Sequence, residues 1–121
     1  MEDQQIKLSK LGIAATCINS SSSFTLAQHK ASNVVFVTPE SFSSRKNVLD
    51  ELVDGISLFA IDEAHCISQW SADFRPAYTT LDVIRKNYSD VPILAVTATA
   101  TPRTRTEIIK CLCLDQPKEV A

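Results

Sequence analysis

Two carboxylates stand side by side at Asp62 and Glu63, followed at once by Ala64 and His65. They come directly after the apolar run at 58–61 (LFAI). Adjacent acids at the end of a buried segment are costly to place unless a cation meets them. The pair is therefore a candidate for cation chemistry, a solvated acidic loop being the plain structural alternative. Two other apolar runs also end in hydroxyls, at Thr38 and at the alternating Thr97, Thr99 and Thr101. Between these lies an unusual segment. Trp70, Phe74 and Tyr78 are three of the chain's eight aromatics, gathered with Arg75 into nine residues. Flat ring faces beside a guanidinium suit base stacking and phosphate contact. A continuous helix face through 70, 74 and 78 is disfavoured by Pro76.

The elements that must position these groups alternate along the chain. Residues 13–18, 34–37, 58–61 and 93–96 are short and mostly apolar, with polar flanks. Continuous rather than alternating hydrophobicity predicts parallel strands covered on both faces. Residues 1–11, 39–53, 76–88 and 102–114 carry apolar residues at helical spacing. Gly12 offers a C-cap to the first of these. Thr38-Pro39 and Thr101-Pro102 each put a capping hydroxyl before a proline at the first helical position. Residues 19–23, an asparagine and four serines, read as a loop or a helix start. Strand, turn and helix repeated about four times predict an α/β fold, a parallel sheet with flanking helices, in a single domain. In such sheets ligands bind at the carboxyl ends of the strands, where the acids and threonines fall.

Composition narrows the chemistry. The chain has 121 residues, a formal charge of −2 and 45% hydrophobic residues, which fits a globular domain and gives no global basic field for nucleic acid. Its two glycines, Gly12 and Gly55, are each followed by isoleucine. Neither the phosphate-cradling G-x-x-x-x-G-K-[ST] loop nor a GxGxxG fingerprint can therefore occur in it. The first residues, MEDQQ, lack a basic start and an apolar segment, so no signal peptide is read there, and no run is long enough to span a membrane. Cys17, Cys66, Cys111 and Cys113 include one C-x-C and no repeated C-x2-4-C pair, so reduced intracellular thiols are expected and no zinc site.

The words around the acids resemble the RecQ family of superfamily 2 DNA helicases. LFAIDEAHCISQW, SADFRPAY and LAVTATATPR carry the resemblance, preceded in order by MEDQQIKLSKLGIAATCINSS and VVFVTPE, so that it covers nearly the whole chain. It implies part of a first RecA-like lobe, from just after the phosphate loop through motif III. It further implies ATP and Mg²⁺ as cofactors and DNA, single-stranded or unwinding, as partner, with 3′-to-5′ unwinding in repair and recombination. By this match Asp62 is the magnesium-side carboxylate, acting through water, and Glu63 the catalytic base. His65, Thr97 and Thr99 belong to the nucleotide side, linking it to neighbouring motifs. Trp70, Phe74, Arg75 and Tyr78 form the aromatic-rich loop that couples single-strand binding to hydrolysis. Thr38 and Pro39 match a DNA-backbone motif.

Several features depart from the family pattern. The phosphate loop, the adenine-reading glutamine segment and the second lobe with its arginine finger have no counterpart here. Ser71-Ala72 stands where members usually read Gly-His. The stretch between Asn19 and Val34 is shorter than usual, as though a helix were clipped. Met1 falls where the family commonly has an internal methionine. These features imply a fragment of a helicase, inactive alone, whose partners include the missing parts of the same enzyme. The expected location is intracellular, the nucleus if eukaryotic. Two alternatives stand beside this reading: a catalytically dead module that binds single-stranded DNA or a protein partner, and a metal-dependent phosphatase built on Asp62, Glu63 and His65. The threonines at the other strand ends are poor ligands for the phosphatase.

Overall fold

A computed structural model describes residues 2–19, 24–99, 101–115 and 117–120. The serines at 20–23, read as loop or helix start, lie outside the described residues, as do Met1 and Ala100. The chain divides into two compact units, Met1–Gly55 and Ile56–Ala121. Each carries a short parallel sheet flanked by helices, the α/β arrangement read from the alternating segments. The single sheet of that reading is replaced, among the described residues, by two separate two-stranded pairs.

In the first unit, helix α1 (Glu2–Lys10) stops at Gly12, whose φ of 83° lets Ile13 N–H reach back to the Leu8 carbonyl at 2.9 Å. Strand β1 (Ala15–Ile18), buried at all four positions, pairs in parallel with β2 (Val34–Val37), Ala15 opposite Val34 and Ile18 opposite Val37. The connection carries α2 (Leu26–Lys30), one short helix in the stretch read as clipped. A capping box closes its start: Gln28 N–H donates to Thr25 Oγ1, and the Gln28 amide oxygen accepts from Thr25 N–H at 2.7 Å.

The helix expected over 39–53 is broken in two, α3 (Pro39–Ser44) and α4 (Lys46–Leu52), with Arg45 out of helical geometry at φ −113°, ψ 31°. Ser41, Ser43 and Ser44 crowd the turn before the break, and serine competes with its own helix for backbone hydrogen bonds.

One polar cluster is sealed in this unit. His29 Nδ1 lies 2.7 Å from Thr16 Oγ1, and both residues are buried. Burial pushes the His29 pKa below its ordinary 6.5. The unfolded chain therefore takes up a proton that the folded unit resists. The stabilising contribution is present at neutral pH and is lost as pH falls below about 6.5. Unfolding midpoints in urea are expected to drop between about pH 7 and about pH 5.5, and His29→Gln is expected to flatten that part of the profile.

In the second unit, β3 (Phe59–Ile61) pairs in parallel with β4 (Ile93–Ala95), and Val96 N–H extends the ladder to the Ile61 carbonyl at 2.8 Å. The expected burial of these strands on both faces fails. Leu58, Ala60, Leu94 and Val96 are exposed, and only the face bearing Ile61 turns to the core. Among the described residues of this unit, only one face of the two-stranded pair is covered.

The helix expected over 76–88 is a 3₁₀ segment, Pro76–Asp82, followed by the short α5 (Val83–Asn87). Thr79 and Thr80 hydroxyls take the carbonyls of Pro76 and Ala77, at 2.6 and 2.7 Å, which holds the backbone in the tighter turn. Helix α6 (Pro102–Cys111) starts at Thr101, which accepts from Thr104 N–H. It ends earlier than read because Cys113 is left-handed at φ 52° and Leu114 N–H turns back to the Ile109 carbonyl. Ile67, Leu81, Ile84, Ile108 and Leu112 are buried in the core of this unit.

Candidate functional site

The ladder that joins β3 to β4 continues past both strands and sets the acidic turn. Ala64 N–H donates to the Val96 carbonyl at 3.0 Å, and the buried Tyr78 hydroxyl donates to the Asp62 carbonyl at 3.1 Å. Asp62 Oδ1 accepts from Glu63 N–H at 2.9 Å. These three bonds hold Glu63 in the left-handed region, φ 53° and ψ 43°, where a non-glycine residue is strained. The result is a sharp corner that presents both acids to solvent.

His65, by contrast, is buried and joins three segments. Its Nδ1 lies 2.7 Å from Thr97 Oγ1 beyond β4, and its Nε2 lies 3.1 Å from Asp73 Oδ2 and 3.4 Å from Glu63 Oε2. Carboxylates only accept, so Nε2 carries the hydrogen, and in the neutral ring Nδ1 accepts from Thr97. Thr97 Oγ1 in turn accepts from Thr99 N–H at 3.3 Å, tying the threonine segment into the same network.

The aromatic-rich segment begins where the 3₁₀ turn Ala64–Ile67 ends. Ser68, wholly buried, donates to Glu107 Oε1 of α6 at 2.9 Å and accepts from Trp70 N–H. Ser71, at the departure from the family pattern, builds a turn of its own: its hydroxyl accepts from Asp73 N–H, and its carbonyl from Phe74 N–H. Arg75 N–H returns to the Cys66 carbonyl, and its guanidinium stands 5.2 Å over the Tyr78 ring. Trp70 is 69% exposed, with the Arg103 guanidinium 4.3 Å from its ring centre. Phe74 is half-buried and Arg75 exposed. Tyr78 faces the core, so its place is to brace the acidic turn.

The structure thus brings Asp62, Glu63, His65, Thr97 and Thr99 together with the loop that carries Trp70, Phe74, Arg75 and Tyr78. Thr38 and Pro39 stand in the first unit at the start of α3, where Thr38 Oγ1 accepts from Ser41 N–H. Asp73, Ser68, Arg103 and Glu107 were not singled out by sequence reasoning. For Asp73 the signal was its place inside DFRP; Arg103 and Glu107 sit one helical turn apart with no local signal at all.

Asp62 and Glu63 are hard oxygen donors open to solvent, a donor type that magnesium shares with waters and phosphates. Among the described residues no group of three or more His, Cys, Asp or Glu is arranged so that it could hold a metal ion. Burial raises the Cys66 thiol pKa, which keeps it protonated and a poor ligand.

The DEAD/DEAH box helicase family model matches residues 1–108. The chain is 43% identical to a mimivirus protein named as a candidate ATP-dependent RNA helicase, R290, over 94% of this chain and 22% of that protein. It is 35% identical to rat ATP-dependent DNA helicase Q1 over 96% of this chain and 21% of the relative. Against the RecQ-like DNA helicase BLM of Xenopus laevis it is 36% identical, over 96% of this chain and 10% of the relative. The chain thus spans roughly a fifth or less of the length of these relatives. No helix among the described residues is long and apolar enough to cross a membrane. Matched by that family model over residues 1–108, the chain belongs to the DEAD/DEAH box helicases, and RecQ-like helicases are among the relatives it resembles.

Proposed function

We propose that this chain is the segment of an ATP-dependent DNA helicase that couples single-strand binding to nucleotide hydrolysis. The observation that carries the reading is His65, whose two ring nitrogens meet Thr97 on one side and Asp73 and Glu63 on the other. The loop that would feel DNA is hydrogen-bonded to that ring at Asp73, and the ring stands 3.4 Å from the acid that would serve the attacking water.

The roles follow from placement. Asp62 would hold Mg²⁺ through water, its Oδ1 already oriented by Glu63 N–H. Magnesium, when bound, neutralises charge between phosphate oxygens. Glu63, at the exposed corner, polarises water as the base. Thr97 and Thr99 transmit the state of His65 along the segment beyond β4. Trp70 offers a stacking face, with Phe74 half-buried behind it and Arg75 supplying charge, and Tyr78 braces the turn. Thr38 and Pro39, at the start of α3, contact the DNA backbone. The polarity is 3′ to 5′, the setting DNA repair and recombination, in the nucleus of a eukaryotic cell. The triphosphate-gripping glycine loop does not occur in this sequence, so the chain alone hydrolyses no ATP.

The test is binding of a labelled oligothymidylate followed by fluorescence anisotropy, with phosphate release measured in parallel. Binding is expected to weaken with added salt. Trp70→Ala is expected to weaken it further by one lost stack, worth ~1–3 kcal/mol. Glu63→Gln leaves affinity unchanged, and phosphate release stays at the blank. A chain that binds no strand, or binds equally well without Trp70, contradicts the DNA role; ATP hydrolysis by the chain alone that Glu63→Gln abolishes contradicts its inactivity. Saturable Mg²⁺ or Mn²⁺ binding without nucleotide supports the phosphatase instead.

A further inference from the structure

We propose that helix α6 sets the aromatic-rich loop: Glu107 is a positioning residue for Trp70, and Arg103 is a nucleic-acid-contacting residue that shares the indole with an incoming base. The inference deepens the single-strand reading above and rests on it.

Four observations lead there. Ser68 is wholly buried, and its hydroxyl donates to Glu107 Oε1 at 2.9 Å. A buried hydroxyl bonded to a carboxylate makes one of the stronger hydrogen bonds a side chain offers. Ser68 Oγ also accepts from Trp70 N–H at 3.1 Å, and Gln69 N–H donates to Glu107 Oε2 at 3.4 Å. Orientation therefore runs from Glu107 through Ser68 to the backbone of Trp70 itself.

Arg103 stands four residues before Glu107 on α6, the spacing that places two side chains on one helix face. Its guanidinium lies 4.3 Å from the Trp70 ring centre, within cation–π range. Trp70 remains 69% exposed and Arg103 is itself exposed. One indole face is thus held by a cation, and the exposure of the ring leaves area for a base to stack.

The start of α6 is fixed by Thr101, which accepts from Thr104 N–H and follows Thr97 and Thr99 in the chain. The helix that grips the loop is the one that continues the threonine segment. A second path, independent of His65, therefore runs between that segment and Trp70.

Trp70 is the sole tryptophan of the chain, so its emission reports on this contact alone. Acrylamide quenching, indole anisotropy and oligothymidylate affinity are measured for the wild type, Glu107→Ala, Glu107→Gln and Arg103→Ala, with far-ultraviolet circular dichroism to follow the fold. Glu107→Ala and Arg103→Ala are expected to raise quenching and lower anisotropy, and to weaken strand binding by roughly threefold to tenfold. Glu107→Gln, which still accepts from Ser68 without the charge, is expected to fall between, and it carries the test if Glu107→Ala loses the fold. Unchanged quenching and anisotropy overturn the positioning role. Altered indole mobility with unchanged affinity, in a wild type that binds, overturns the role in strand binding. A wild type that binds no strand at all overturns the preceding section's reading; the positioning claim is then decided by quenching alone.

Discussion

Replacing His65 by alanine is expected to lower the stability of the second unit by ~2–4 kcal/mol, combining a lost buried ring with a lost buried hydrogen bond. The ring is 5% exposed, so its removal leaves a hole that the surrounding chain fills only in part. Thr97 Oγ1 loses its 2.7 Å partner. Asp73 contributes little to the cost, because its side chain is 71% exposed and water replaces the imidazole. His65→Phe separates the two contributions: it fills the space and makes no hydrogen bond. Urea midpoints are expected in the order wild type, then His65→Phe, then His65→Ala. Equal midpoints for all three would mean that the ring neither packs nor bonds as described.

Leu112→Ala is expected to cost ~2–5 kcal/mol, the usual range for a leucine truncated in a core. Leu112 is wholly buried at the end of α6. A unit of this size holds on the order of 3–10 kcal/mol in total, so the change removes much or all of its stability. Strand binding would then vanish although no candidate site residue has been touched, with Trp70 emission shifting to that of a solvated indole. Leu94→Ala is the contrast. That side chain is 49% exposed on the uncovered face of β4, and its loss is expected to cost less than ~1 kcal/mol. A Leu112 variant as stable as the Leu94 variant would show that the second unit is not packed around α6.

How much of this was legible in the sequence differs from residue to residue, and for physical reasons. Strand β2 follows Val34–Val37 as read, since four apolar residues between polar flanks admit little else. Thr38-Pro39 and Thr101-Pro102 start α3 and α6 because a capping hydroxyl and a proline act locally. Where local hydroxyls compete with the helix, the apolar spacing misleads. It does so at Arg45, after a run of serines, and over Pro76–Asp82, where Thr79 and Thr80 tighten the turn. The exposed face of β3 and β4 was illegible because an apolar run records what a strand is able to bury, and its covering depends on neighbouring elements.

The site divides in the same way. Asp62, Glu63 and His65 were found as a word, and the fold supplies the reason for their order: a left-handed corner at Glu63 exposes the acids and returns His65 to the interior. Asp73 and Glu107 gain meaning only from pairings eight and thirty-nine residues away, to His65 and Ser68. Spacing along the chain cannot announce such contacts.

The central claim is that the strand-binding loop reports to the acidic turn through His65. It is tested most directly by observing the imidazole resonances of His65 while oligothymidylate is added, His29 being assigned by His29→Gln. Binding at Trp70 is expected to move the His65 ring signals through Asp73, with no such movement in Trp70→Ala. His65 signals that stay fixed while the strand saturates the chain would contradict the account.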